Sequence, residues 1–303
     1  MYMNRTIWKG VFSAVTTKFK PDFSLDIDRM EAHFNEQIEA GIHGFVVTGS
    51  LGENAALTIP EKLEVLNTAI RVSNGRIPVL AGVAETTAAA EISVIEQAVK
   101  LGADGFMVLP AMRYPAEPQE AMQHFRAVAE ACPLPIMIYN NPVAYKVDIT
   151  PQMFAELADE STFIALKESS DNVRRVTDII NTCGDRYQLF TGVDNIALES
   201  LVMGATGWVA GLVCAFPRET VAIYNLVQEG KIEEARTIYR WFRPLLDLDV
   251  TPRFVHYIKY TEAVVSGHAN DAIVREPRYP MPEAERAHIE SIVRHALETR
   301  VSA

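Results

Sequence analysis

Apolar and polar positions alternate along this chain in two rhythms. Short runs rich in β-branched and aromatic residues occupy 10–16, 44–48, 77–82, 105–109, 135–139, 163–166, 187–190 and 207–212. Between them lie stretches whose apolar residues recur at helical spacing, over 27–40, 60–73, 87–101, 119–131, 172–182 and 196–203. The short runs read as buried strands and the longer stretches as amphipathic helices. Several helices carry end signals: Gly41 and Gly102 follow two of them, and Thr58-Ile59-Pro60-Glu61 precedes another. Parallel strands need a crossover between each pair, so eight strands each followed by a helix predict a closed (β/α)8 barrel of the TIM type. A doubly wound sheet is the runner-up, but no glycine-rich dinucleotide turn follows the first strand. From Pro217 onward the pattern is helical only, over 219–228, 232–241, 254–266 and 283–299. The expected organisation is an α/β barrel over 1–216 and a C-terminal helical region over 217–303.

Composition narrows the kind of ligand. With 303 residues and 49% hydrophobic content the chain can bury a large core. A net charge of −11, with 28 basic residues that nowhere gather into a patch, argues against nucleic acid or an acidic membrane and for a small molecule. Cys132, Cys183 and Cys214 are odd in number, far apart and without metal spacing, which fits a reduced, cytoplasmic protein. No signal peptide or membrane-spanning run is expected, because the longest apolar runs are strand-sized. His33, His43, His124, His256, His268, His288 and His295 are scattered without a short ligand pair, so no metal is expected and they read as surface or interface residues.

In a barrel of this kind chemistry gathers at the carboxyl ends of the strands. Lys167 stands there, after the apolar run 162–166 and before Glu168-Ser169-Ser170-Asp171-Asn172. Many strands simply end on a solvated lysine; one that is buried instead loses its charge and becomes a nucleophile toward carbonyls. After the fifth strand, Tyr139-Asn140-Asn141-Pro142 puts a phenol at the strand end. After the second, Gly49-Ser50-Leu51-Gly52-Glu53 offers a hydroxyl and backbone N–H groups for a carboxylate, or else a plain tight turn with Glu53 near the next helix N-terminus. The small residues of Gly207-Trp208-Val209-Ala210-Gly211 would let backbone approach a ligand closely.

The three segments 49–53, Tyr139-Asn140-x-Pro142 and Lys167-Glu168-Ser169-Ser170, in this order and spacing, resemble the dihydrodipicolinate synthase and N-acetylneuraminate lyase superfamily of class I Schiff-base lyases. The resemblance covers nearly the whole chain. It implies a barrel with C-terminal helices, usually assembled as a homotetramer, a dimer of dimers. It further implies that Lys167 forms an imine with a 2-oxo acid, that Tyr139 shuttles protons, and that Ser50 and its neighbouring amides hold the carboxylate. Such a reaction uses no cofactor beyond the covalent lysine imine.

Departures from the family pattern bear on the substrate. Where the synthase has an arginine two residues beyond the proline, this chain has Ala144, which offers no grip on a second acidic substrate. Where it has a second hydroxyl in the turn, this chain has Leu51, and near the relay tyrosine lent by a neighbouring subunit it has Met112, with Tyr114 as a displaced substitute. The substrate-binding set expected is Ser50, Leu51, Ala144 and Val209, a small and weakly polar pocket. The stretches 140–150, 167–175, 207–213 and 274–280 are most similar to the deaminases of hydroxyproline breakdown, which act on 1-pyrroline-4-hydroxy-2-carboxylate. The alternatives are the synthase, a 2-keto-3-deoxy sugar acid aldolase or dehydratase, and a non-catalytic binding barrel, which would be expected to have lost the lysine or tyrosine.

Overall fold

The computed structural model describes residues 8–111 and 114–301. Eight parallel strands close into a barrel in sequence order: β1 Gly10–Ala14, β2 Gly44–Val47, β3 Val79–Val83, β4 Gly105–Val108, β5 Ile136–Asn140, β6 Phe163–Glu168, β7 Gln188–Thr191 and β8 Gly207–Ala210. The helices of the first half are α1 Ile27–Glu39, α2 Ile59–Ser73, α3 Ala88–Leu101, α4 Pro118–Ala131, α5 Pro142–Tyr145 and α6 Pro151–Glu156. Those of the second half are α7 Arg174–Cys183, α8 Ala197–Val202, α9 Pro217–Gln228, α10 Ile232–Leu246, α11 Phe254–Ser266 and α12 Glu283–Glu298. Nearly every strand residue is buried, as expected when helices cover a parallel sheet on its outer face and side chains fill its interior. Among the described residues no helix is long and apolar enough to cross a membrane.

The punctuation behaves as its chemistry dictates. Thr58 caps α2 in a capping box with Glu61, and Gly102 ends α3 in the left-handed region at φ 96°. The short helices α5 and α6, absent from the periodicity, each begin on a proline after a capping Asn141 or Thr150 side chain. They are too short for a helical period to register. The expected strand over 207–212 stops at Ala210, where a 3-10 turn over Leu212–Cys214 takes over. The helix over 232–241 runs on to Leu246, carrying Pro244 in its last turn. Of the helices beyond residue 216, α9 packs against β1 and β8, while α10 and α11 pack with α12.

Candidate active site at the barrel mouth

Lys167 and Tyr139 are the penultimate residues of β6 and β5, and the register of the two strands pairs them directly. Each is only 6% exposed, and the lysine Nζ stands 4.1 Å from the centre of the tyrosine ring. Burial pushes the Lys167 amine below the ordinary lysine range, with Tyr145, Asp249 and Asp194 acting in the opposite sense. Burial likewise raises the Tyr139 phenol, offset in part by Asn141, whose Nδ2 donates to the phenolic oxygen at 3.0 Å.

One side chain ties the two motifs together. Asn140 Nδ2 donates to Glu168 at 3.0 Å and to Asp148 at 3.2 Å, and its Oδ1 accepts from the Ile149 N–H at 2.9 Å. Glu168 in turn accepts from the Ser170 N–H at 2.7 Å. The asparagine after Tyr139 and the glutamate after Lys167 therefore lock the strand ends that carry the reactive groups. Gly192, just after β7, leaves the lysine its space: a Cβ there would sit 2.4 Å from Lys167 Cε and 2.2 Å from Ser169 Oγ.

The turn after β2 contributes Ser50, half-buried, whose Oγ hydrogen-bonds the hydroxyl of Tyr145. The Tyr145 ring meets the Tyr139 ring edge-on, with centroids 5.6 Å apart. Serine and two tyrosines thus form a line of hydroxyls leading to the lysine. Tyr145 is the residue that motif reasoning passed over. Its signal was a second phenol six positions after Tyr139, and only the tight α5 turn, capped by Asn141 on the Ala144 N–H at 2.9 Å, brings it back to the mouth.

The other expected positions scatter. Ala144 is exposed on α5, whereas Leu51 and Val209 are buried among the apolar residues of the core. Tyr114 is exposed and donates to Glu120 at 3.2 Å, so within this chain it does not join the line of hydroxyls; Met112 lies outside the described residues. The small stretch at the end of β8 serves the protein's own carboxylates. Asp194 accepts from Trp208 Nε1 at 2.9 Å, from the Leu212 N–H at 2.8 Å and from the Gly211 N–H at 3.2 Å. Gly211 also faces Asp249, whose Oδ1 is 2.4 Å from where a Cβ would stand.

Glu53 does not serve mainly as a helix-end charge. It is buried, 2.7 Å from Lys259 of α11, and accepts from the Arg275 N–H at 3.0 Å. Nor are the histidines all at the surface: His33 is buried 3.1 Å from Glu262, and His124 lies 3.0 Å from Glu91. Folding supplied partners from helices distant in sequence, which spacing could not reveal. His33, Cys214 and Glu262 make the one metal-capable group among the described residues. Their charge is already compensated, because Lys18 lies 2.6 Å from Glu262 and Thr16 donates to the same carboxylate.

A model of the dihydrodipicolinate synthetase family matches residues 7–296. The chain is 30% identical over 293 residues to the 4-hydroxy-tetrahydrodipicolinate synthase of Persephonella marina, spanning 95% of this chain and 98% of that protein. It is 32% identical over 234 residues to the enzyme of the same name from Pelobacter propionicus, spanning 77% and 80% of the two chains. Among solved structures, YagE, a prophage protein of E. coli K12 belonging to the dihydrodipicolinic acid synthase family and in complex with pyruvate, superposes with a TM-score of 0.90. Its identity is 25%, over 96% of this chain and 99% of that one.

Proposed function

The chain belongs to the dihydrodipicolinate synthetase family of class I Schiff-base lyases, and from that membership we propose that its reaction runs through an imine on Lys167. The observation that carries this reading is a buried amine with no carboxylate in contact among the described residues, register-paired with a buried phenol. A neutral Lys167 attacks the carbonyl or imine carbon of a 2-oxo or cyclic imino acid. The resulting iminium withdraws electrons from the neighbouring carbon, Tyr139 takes and returns the proton, and Ser50 with the turn amides holds the carboxylate. No cofactor is needed for these steps.

For the substrate we propose 1-pyrroline-4-hydroxy-2-carboxylate. Lys167 displaces the ring nitrogen at carbon two, and the ring opens. Loss of a proton from carbon three gives an enamine that expels the 4-hydroxyl as water. Tautomerisation leaves an imine at carbon five, and hydrolysis of both imines releases ammonia and 2-oxoglutarate semialdehyde. What supports this choice is the composition of the mouth: among the described residues hydroxyls and carboxylates surround Lys167, and no arginine touches the lysine or Tyr139. A reaction with one carboxylate to bind suits such a site better than one with two. The curated relatives from Persephonella and Pelobacter favour a second reading, condensation of pyruvate with aspartate semialdehyde as in the synthase.

Purified protein is expected to release ammonia from 1-pyrroline-4-hydroxy-2-carboxylate and to condense pyruvate with aspartate semialdehyde poorly. Efficient condensation with no ammonia release overturns the deaminase in favour of the synthase. If neither runs but pyruvate is trapped on Lys167 by borohydride, a 2-keto-3-deoxy sugar acid lyase becomes the leading account. For assembly we propose a homotetramer, to be checked by light scattering.

A further inference from the structure

Asp249 stands apart from every other buried or half-buried carboxylate near the mouth. It follows α10, is half-buried, and presses its carboxylate against the backbone of Gly211 at the end of β8. Asp194, its neighbour, has both oxygens occupied by N–H donors of Trp208, Gly211 and Leu212 and is a fixed part of the wall. No described residue donates to the Asp249 carboxylate. Gly211 directly follows β8 at the carboxyl end of the barrel, so Asp249 stands on the same mouth where Lys167 and Tyr139 end β6 and β5, within electrostatic reach of both. The turn with Ser50 after β2 and the carboxylate over β8 flank that space from different sides of the barrel, one fitted to an acid group and the other not.

We propose that Asp249 is the acid that protonates the leaving hydroxyl on the carbon two removed from the imine carbon. This deepens the reading of the site as a Schiff-base dehydratase and rests on it. In the step, the enamine formed on Lys167 pushes its electron pair to form a double bond between the third and fourth carbons. The bond from the fourth carbon to oxygen breaks, and the oxygen departs as water with the proton of Asp249, which is left as a carboxylate. Hydroxide is too poor a leaving group to depart unassisted, and Tyr139 is at that moment engaged with the proton taken from the third carbon. Burial and the adjacent Asp194 charge hold the Asp249 carboxyl well above the usual carboxylate range, so it enters the step with a proton to give. The carboxylate regains its proton from solvent between turnovers.

The test compares two leaving groups on one enzyme. 4-Hydroxy-2-oxobutyrate must lose its oxygen with a proton, whereas 4-chloro-2-oxobutyrate releases chloride without one. In Asp249→Asn the rate of hydroxyl elimination relative to chloride elimination is expected to fall about 10²-fold, the lower range for removing a general acid. Because the ratio is internal to each preparation, partly misfolded protein does not alter it. A ratio equal to that of the unaltered enzyme overturns the proposal, and so does an unaltered enzyme that expels neither group. The choice of hydroxyproline-derived substrate fails separately, through absence of ammonia from 1-pyrroline-4-hydroxy-2-carboxylate, and that result leaves the leaving-group ratio free to support or sink Asp249.

Discussion

Lys167 and Lys259 are both withdrawn from solvent, at 6% and 0% exposure, yet their surroundings are built on opposite terms. Lys259, on α11, lies 2.7 Å from Glu53 and donates to the Thr17 carbonyl at 2.8 Å. One helical turn along, Glu262 takes Lys18 at 2.6 Å, His33 at 3.1 Å and two contacts from Thr16. This clamp fastens α11 over the ends of β1 and β2 with charges that cancel in pairs. At the ends of β5 and β6 the lysine instead meets an aromatic face and hydroxyls, and its nearest carboxylates act through space. Burial pushes both amines down, but at Lys259 the charge and hydrogen bond of Glu53 oppose it in direct contact, whereas at Lys167 only groups acting through space do. The partnered amine holds structure and the other is left available to react.

The sharpest break of that contrast is Lys167→Ala. Turnover and borohydride-trapped adducts should both vanish while the thermal melt stays that of the unaltered protein, since no ion pair is lost. Lys167→Arg should be equally inactive, because a guanidinium stays protonated. Peptide mapping that finds the adduct on Lys18, Lys62 or Lys259 would overturn the division between structural and reactive lysines. Tyr139→Phe comes next. It should still trap pyruvate but lose about 10²–10⁴-fold in turnover, the usual range for general acid–base help.

On the clamp side the expected loss is of stability. Glu262→Gln leaves buried Lys18 only the longer contact with Asp271 at 3.6 Å. The expected cost lies toward the lower end of the about 3–5 kcal/mol for breaking a buried pair, measured as a lowered urea midpoint. Acid should do the same without mutation. Interaction chiefly with Lys18 and His33 outweighs burial and holds the Glu262 carboxyl down at about 2 against an ordinary 4.5, so its contribution is complete above 4.5 and fades as pH falls toward 2. An acid melt of Glu262→Gln that still tracks the unaltered protein through that window would remove Glu262 from the account.

How much of this was legible beforehand depends on distance along the chain. The eight strands, most helices and the Lys167 and Tyr139 positions follow from local pattern and from strand order, and the closed barrel bears the pattern out. Asn140 and Glu168 were visible as motif letters, but their mutual bond required the β5–β6 register. The clamp could not be seen, because Glu53 and Lys259 are 206 positions apart and nothing in either neighbourhood marks the pair. Asp249 was equally silent, the second of two acids between α10 and α11, whose meaning comes from Gly211. Tyr145 lies in the stretch 140–150, where a four-residue helix leaves no period to read.

That tyrosine supplies the smallest and finest test of the comparison. If the mouth works by passing protons along hydroxyls, Tyr145 is its middle member, bonded to Ser50 on one side and edge-on to Tyr139 on the other. Tyr145→Phe keeps the ring and removes one hydrogen bond, worth about 0.5–1.5 kcal/mol. Lost in the transition state, that is about a tenfold fall in rate, because water entering from the half-exposed side can stand in for the missing hydroxyl. The measurement is exchange of the pyruvate methyl protons with deuterated water, followed by NMR alongside borohydride trapping. Exchange should slow about tenfold while trapping keeps pace with the unaltered protein, since the imine depends on the lysine alone. If trapping falls in step with exchange, Tyr145 shapes the pocket around Lys167 and moves no protons. If neither changes, Tyr139 communicates with solvent by another route, and the line of hydroxyls is packing.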